Sequence, residues 1–377
     1  MPKILFAGDF ASRNRMSDII ETENYSALLS EVLPITSKVD YAILNFEAPV
    51  VEDNSAKPIK KCGPNLRCTS KSVKAIKYAG FDMVTLANNH FRDYGDEGVK
   101  ETLYACMNEG IDTVGGGNDI YEASKILYKD INEFKFAFIN CCEWEYSIAT
   151  EISGGSNPLN PVKQYYAILE AKKKADFVVV IVHGGHEHWQ LPSPRMKETY
   201  RFFVDAGADA VVNHHQHCYS GYEVYNGKPI FYGLGNFCFD LEHIRIDDKW
   251  NYGYMVELDF SEGIRYTLHP YKQCSENIGV QILPKDVFDE SLKVLNAIIA
   301  DDVVLKQKVS EYYRASDDGI KGFLEPLQNR WILAVQHRKL LPSFISEKWL
   351  LKIYNIIFCE AHRDKLLSYM ERRIRKA

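Results

Sequence analysis

The sequence predicts an α/β fold followed by a helical C-terminal extension. Three observations carry this. From residue 3 to about residue 283, short runs rich in Val, Ile, Leu and Phe alternate with helix-like stretches, the signature of strand and helix units in succession. Several of those runs end in residues that can bind ligands, and open α/β folds carry their sites at strand ends. Beyond residue 283 no strand pattern recurs, and 286–313, 323–341 and 346–376 read as helices.

In chain order, Ile4–Ala7 is an apolar strand that runs into Gly8 and Asp9, and residues 17–33 carry apolar positions compatible with a helix. Tyr41–Leu44 is a strand that ends in Asn45, Phe46 and Glu47. Residues 52–68 form a basic loop, and Lys71–Ala79 is a helix stopped by Gly80, a common C-terminal signal. Met83–Ala87 is a buried strand that ends in Asn88, Asn89 and His90. Gly98–Asn108 is a helix, Gly115–Gly117 a turn, Phe134–Asn140 a strand, Gly154–Pro161 a loop and Tyr165–Ala175 a helix. Phe177–Val182 is the most strand-like run in the chain, and His183, His186 and His188 follow it. After a helix over 195–206, the strand Ala210–Val212 is capped by Asn213, His214, His215, Gln216 and His217. Ile230–Gly233 and Tyr252–Phe260 are further strands. A boundary in Pro270–Pro284 separates a domain over 1–275 from an extension over 283–377.

Composition narrows the function classes. The 377 residues include 45 Lys and Arg against 51 Asp and Glu, a net charge of -6, which gives no footprint for nucleic acid. No apolar run approaches the roughly 18 residues of a membrane span, and the N-terminus enters a strand at once, without a signal-peptide pattern. Nine cysteines are an odd number without CxxC spacing. That argues against a disulfide framework or a thiolate zinc site and for reduced thiols; the expected compartment is the cytoplasm.

The chemistry gathers at the strand ends. Asp9, Glu47, Asn89 with His90, His183, and His215 with His217 each close an apolar run, and seven of the eleven histidines fall in three such places. Carboxylate, amide and imidazole donors together suit borderline-hard divalent ions such as Mn, Fe or Zn. The set exceeds what one tetrahedral ion needs and fits two ions sharing a carboxylate, an arrangement that activates water for an in-line displacement. The alternative, separately hydrogen-bonded polar strand ends, explains any one of these residues more readily than all of them.

These pieces resemble the CapA family of capsule and poly-γ-glutamate biosynthesis proteins, in the calcineurin-like metallophosphoesterase superfamily. The match lies in Gly8-Asp9, Asn45-Phe46-Glu47, Leu86 to His90 with Asp93 to Gly95, His183 to Glu187, Gly207 to Asp209 leading to His214–His217, Tyr222 to Lys228, and Gly233 to Asp240. The resemblance implies a four-layer αββα sandwich of the metallophosphoesterase type. It implies Asp9 as the first metal carboxylate, Glu47 as the bridging carboxylate, Asn89 as the amide ligand, and His183, His215 and His217 as imidazole ligands. It implies His90 as a non-ligand histidine that protonates or hydrogen-bonds the reacting group. The sequence departs from the pattern at Ala11, where the superfamily has a histidine, at Gly184, where the family has a Trp, and at Asn213 and Gln216 in the last histidine motif.

Candidate substrate contacts are Lys60 and Arg67, with Lys61 beside them in the basic loop, where a guanidinium suits carboxylate or phosphate, and Glu187, which can instead orient a ligand imidazole. A solvated loop accounts for these basic residues equally. If its segment is extended, His214 faces away from His215 and is structural; Asn236 fixes a turn near the site. The leading expectation is a two-metal hydrolase acting on an anionic small molecule or surface polymer. A non-catalytic polymer-assembly factor is the alternative, and a nucleotide-processing enzyme a third by superfamily analogy. The helix over 346–376 carries an apolar stripe and a basic end at Arg372, Arg373, Arg375 and Lys376; it packs on its own domain or makes weak membrane-surface contact.

Overall fold

The computed structural model describes residues 2–241, 248–261, 263–315 and 329–358, with Leu366 and Met370 beyond. The chain divides into two compact units, Met1–Lys306 and Gln307–Ala377.

The first unit is built on two large sheets and one two-stranded sheet. In chain order the strands are β1 (Lys3–Ala11), β2 (Tyr41–Phe46), β3 (Met83–Thr85), β4 (Asp112–Val114), β5 (Gly116–Gly117), β6 (Leu127–Ile131), β7 (Phe134–Cys142) and β8 (Gly155–Ser156). There follow β9 (Phe177–His183), β10 (Ala210–His214), β11 (Tyr222–Tyr225), β12 (Lys228–Phe231), β13 (Asn236–Phe239), β14 (Tyr252–Asp259), β15 (Arg265–Gln273) and β16 (Val280–Ile282). One sheet runs β16-β15-β14-β1-β2-β3-β4, with β13 also paired to β1; the other runs β11-β12-β10-β9-β7-β6. The central pairs are parallel: β1 with β2, β2 with β3, β7 with β9, β9 with β10. That is why Phe177–Val182 reads as a continuous apolar run rather than an alternating one: a parallel strand is covered on both faces.

The two sheets close on each other through Ile4, Phe6, Ile43 and Met83 from the first and Phe136, Phe138, Val179, Ile181 and Val212 from the second. Alternation then sends Leu5, Ala7, Leu44 and Val84 to the opposite face, where they pack with Met16, Ile20, Val73, Ile76 and Val99 of three helices, Arg15–Glu21, Lys71–Tyr78 and Gly95–Asn108. On the second sheet Val178, Val180 and Val211 are buried, as are Ile168 and Ala171 of helix Pro161–Lys172 and Tyr200 and Phe203 of helix Pro194–Ala206. The result is the expected αββα sandwich.

Helix limits follow local chemistry. Asn160 accepts from the Val162 and Lys163 amides and Ser193 from Met196, each with proline in the first turn, the favoured start of a helix. Gly207 ends the second of these with φ 118°, a left-handed turn suited to glycine. The expected helix over 17–33 is instead three short pieces, Arg15–Glu21, Ser26–Leu29 and Leu33–Thr36. The helix expected over 286–313 is broken at Asp301, whose carboxylate accepts from the Val303 and Val304 amides and so starts a second helix.

The domain boundary lies later than the sequence suggests. β16 falls inside the expected break and pairs with β15. Helix Asp289–Ala300 buries Leu292 and Ile299; Phe288 stacks on Tyr219 at 4.3 Å, and Asn296 accepts from the Tyr222 amide. The first unit therefore runs to Lys306. In the second unit, helices Arg330–His337 and Glu347–Phe358 are described, and Leu350, Leu351, Tyr354 and Ile357 are exposed. Of the expected helix over 323–341, residues 323–328 lie outside the described residues and 338–341 are turn rather than helix; the basic end with Arg372, Arg373, Arg375 and Lys376 also lies outside the described residues. No helix among the described residues is long and apolar enough to cross a membrane.

Candidate metal centre

Six of the residues singled out in the sequence converge at the strand ends: Asp9 from β1, Glu47 just past β2, Asn89 past β3, His183 at the end of β9, and His215 and His217 past β10. All six are buried. The convergence follows from register, since Asp9 lies opposite Asn45 and His214 opposite His183. Asp9, Glu47 and His217 bring ligand atoms within 4.8 Å of one another, as do Glu47, His183 and His215, and also Glu187, His215 and His217.

Four lone-pair atoms meet on one side of Glu47. His183 Nε2 lies 3.0 Å from His215 Nδ1, 3.1 Å from Asn89 Oδ1 and 3.6 Å from Glu47 Oε1. Two imidazole nitrogens at 3.0 Å can hold only one hydrogen between them, so the group lacks the protons to satisfy itself. On the other side His217 Nε2 stands 3.7 Å from the same Glu47 Oε1. His217 Nδ1 lies 2.8 Å from Asn236 Oδ1; that oxygen only accepts, so Nδ1 carries the proton and Nε2 keeps its lone pair. The Asn236 amide is oriented by its donation to the His217 and Trp250 carbonyls.

Glu47 Oε1 is buried without a hydrogen-bond partner, a costly state for a carboxylate oxygen. Burial, then the charges of Asp9 and Glu187, push this carboxyl well above its usual range. Burial would raise Asp9 as well, but contact with His214, the His217 charge and the Asn45 amide outweigh it, and its pKa is lowered. Burial holds His215 and His217 down at about 4, and burial together with the neighbouring imidazoles holds His183 well below its ordinary value. A buried Glu47 oxygen without a partner, flanked by imidazole nitrogens at 3.6 and 3.7 Å, is a donor set that a divalent cation would satisfy. The residues present fit a metal ion.

Around the ligands sits a supporting layer. Asn45 donates to Asp9 Oδ1 at 2.8 Å and accepts from Thr85 Oγ1, and the His215 amide donates to Asp9 Oδ2 at 3.2 Å. Asn88 caps the strand end instead of facing the cluster, donating to the Phe46 carbonyl and accepting from the His90 amide. His90 Nδ1 lies 2.7 Å from Asp93 Oδ2, and Lys61 Nζ reaches both His90 Nδ1, at 3.1 Å, and Asp93 Oδ1. Glu145 has its carboxyl raised, by loss of solvent first and then by the charge of Glu187.

Several expectations change. Arg67 is exposed and donates to Asn54 Oδ1 at 2.6 Å, and Lys60 is exposed on the loop. The lysine that reaches the centre is its neighbour Lys61, because one residue along an extended loop reverses the direction of the side chain. Glu187 stands beside His215 and His217. His214 does not face away: its Nδ1 is 3.3 Å from Asp9 Oδ1. The alternation argument fails there because His215 and His217 have φ of 92° and 54°, so the chain leaves the extended conformation directly after β10. Positive φ at two histidines is the strained backbone found where a site dictates geometry. Asp93 was within reach of sequence reasoning, three residues after His90; Lys61 was not distinguishable from Lys60.

The chain matches the family described as "Bacterial capsule synthesis protein PGA_cap" over residues 3–241. It belongs to that family. It is 36% identical over 250 residues to the capsule biosynthesis protein CapA of Bacillus anthracis, covering 64% of this chain and 61% of that protein. To the PGA biosynthesis protein CapA of Bacillus subtilis it is 36% identical over 247 residues, covering 65% of each. A probable polyglutamine synthesis accessory protein of Mycobacterium tuberculosis is 26% identical over 227 residues, covering 54% of this chain and 57% of that one. The chain thus spans less than two thirds of the length of these relatives. Among solved structures, a hypothetical protein from Thermus thermophilus gives a TM-score of 0.45 at 18% identity, over 75% of this chain and all of that one. A phosphatase from Mycoplasma pneumoniae gives 0.44 at 16%, over 73% and 95%. Those structural likenesses are too distant to bear on chemistry. The family match covers every residue of the cluster: the PGA_cap region runs from β1 through β13, and the helical second unit lies outside it.

Proposed function

We propose that this member of the PGA_cap family is a metal-dependent hydrolase of the metallophosphoesterase type, acting on an anionic small molecule or on a surface polymer of the poly-γ-glutamate or polysaccharide kind. The observation that carries the reading is Glu47 Oε1: buried, without a partner, and set between His183 Nε2 and His217 Nε2 at 3.6 and 3.7 Å. A carboxylate so placed suits a bridge between two divalent ions, Mn, Fe or Zn. Asp9, Glu47 and His217 would hold one, and Glu47, Asn89, His183 and His215 the other. Two such ions supply an activated water and Lewis-acid stabilisation of the attacking and departing oxygens.

The chain's own groups do the rest. With its Nδ1–H donated to Asp93, His90 can give a proton from Nε2 to the departing group only as the imidazolium, the form that the Asp93 charge favours against burial. Lys61 sets a positive charge beside that pair, where an anionic substrate would lie. Asn45, Thr85 and Asn236 hold Asp9 and His217 in orientation, so that little reorganisation accompanies reaction.

The name of the mycobacterial relative, an accessory protein, supports a second reading in which the cluster binds metal and an anionic chain without turnover. One experiment separates the two. Purified protein loaded with Mn is assayed for hydrolysis of phosphoesters, γ-glutamyl polymers and glycans, before and after chelation. Hydrolysis that chelation abolishes and Mn restores is expected; full metal occupancy with no turnover on any of these substrates would favour the assembly role.

A further inference from the structure

We propose that Glu187 is a metal ligand, the carboxylate that completes the shell on the Asp9–Glu47–His217 side of the cluster. The proposal rests on the metal-centre reading above and adds a residue to it. The side formed by Glu47, Asn89, His183 and His215 offers four ligands, a full complement for a divalent ion with nitrogen and oxygen donors. The opposite side offers three, and Asp9 is already engaged at both oxygens, Oδ1 by the Asn45 amide at 2.8 Å and Oδ2 by the His215 backbone N–H at 3.2 Å. That side lacks a donor.

Glu187 stands where the donor is needed. Its carboxylate, a nitrogen of His215 and a nitrogen of His217 lie within 4.8 Å of one another, a spacing that a single ion can span. Its charge bears on Glu47, His217 and His90, so it lies close to the cluster although it is solvent-exposed. Among the described residues no lysine or arginine forms a salt bridge with it.

The loop that presents Glu187 is built to hold it there. The Gly184 amide donates to the His214 carbonyl at 3.1 Å, the Gly185 amide to Glu143 Oε2 at 3.2 Å, and the His188 amide to the Gln216 carbonyl at 2.8 Å. The segment from 184 to 188 is therefore laced along the strand end that carries His215 and His217. Gly185 adopts φ 109°, and a Cβ there would meet Met196 Sδ at 2.8 Å, so the path needs glycine. Glu187 itself is solvent-exposed.

The test is metal titration of the full chain, stripped and refilled with Mn, read by calorimetry and by elemental analysis. Wild-type protein should take up two ions. Glu187→Gln should bind one with unchanged affinity and the second about 10- to 100-fold more weakly, the scale of effect seen when groups that support a metal site are removed, and Glu187→Asp should recover part of the loss. Unchanged thermal unfolding of the stripped variant would show that the fold is intact. If Glu187→Gln binds both ions like wild type and only raises KM, Glu187 is a substrate contact and the proposal fails. If wild type takes up no Mn at all, the metal-centre reading itself fails and takes this one with it.

Discussion

His90 places its Nδ1 2.7 Å from Asp93 Oδ2, three residues further along the same turn, in a pocket where Asp93 is fully buried. Asp93 also accepts from the Leu66 amide and from Lys61, so its position does not depend on His90. That independence makes the histidine separable from its support. His90→Ala should leave metal content nearly intact and lower kcat by about 10²–10⁴. The loss should shrink for a substrate whose leaving group needs no proton, such as a nitrophenyl ester. Metal analysis beside kinetics on two leaving groups checks this; a variant that comes out empty of metal would make His90 a ligand instead.

A different kind of precision holds Asp9. A Cβ on Gly8 would lie 1.8 Å from the Gly235 carbonyl oxygen, the same oxygen that accepts from the Asp9 amide at 3.1 Å. The next residue, Asn236, is the one that fixes the His217 tautomer. Gly8→Ala must push apart the two segments that carry a carboxylate and the partner of an imidazole. Overpacking of this kind costs roughly 1–3 kcal/mol. Urea unfolding should show that loss, and metal occupancy should fall with it. A variant as stable and as metal-rich as wild type would mean the contact relaxes freely.

Much of this centre was legible because a strand end is a local event. Phe177–Val182 followed by His183 announces both a buried strand and the place where it meets its site, and the same holds for Tyr41–Leu44 before Glu47. The resemblance to a known family then supplied roles that spacing alone leaves open. What escaped depended on tertiary contact or on a change of backbone region. Lys61 differs from Lys60 only in which way a loop side chain points. Alternation misplaces His214 because it presumes extended backbone, and His215 has φ 92°. That the first compact unit runs on to Lys306 escapes the pattern because β16, which pairs with β15, is only three residues long.

Protonation gives a test that needs no substrate. Burial holds His215 and His217 at about 4 and His183 well below its ordinary value, while imidazoles of an unfolded chain titrate at about 6.5. As pH falls through that interval the unfolded chain binds protons and the folded site does not, so stability contributed by these groups is whole above about 6.5 and drains away toward about 4. His90, also lowered by burial, adds in the same direction. Glu47 acts oppositely: its raised carboxyl contributes stability below the unfolded value of about 4.3, lost as pH rises. Glu47→Gln removes that opposing group. In chelator, the unfolding free energy of Glu47→Gln should therefore climb from about pH 4 to about pH 6.5 and then level, more steeply than in wild type. Ring-proton NMR of the metal-free wild type isolates the histidines themselves: the signals of His215 and His217 should hold their neutral positions down to about pH 5. Midpoints near the ordinary imidazole value would mean these rings are open to water, and the cluster would lose the ready-made neutral donors on which its affinity for a metal ion depends.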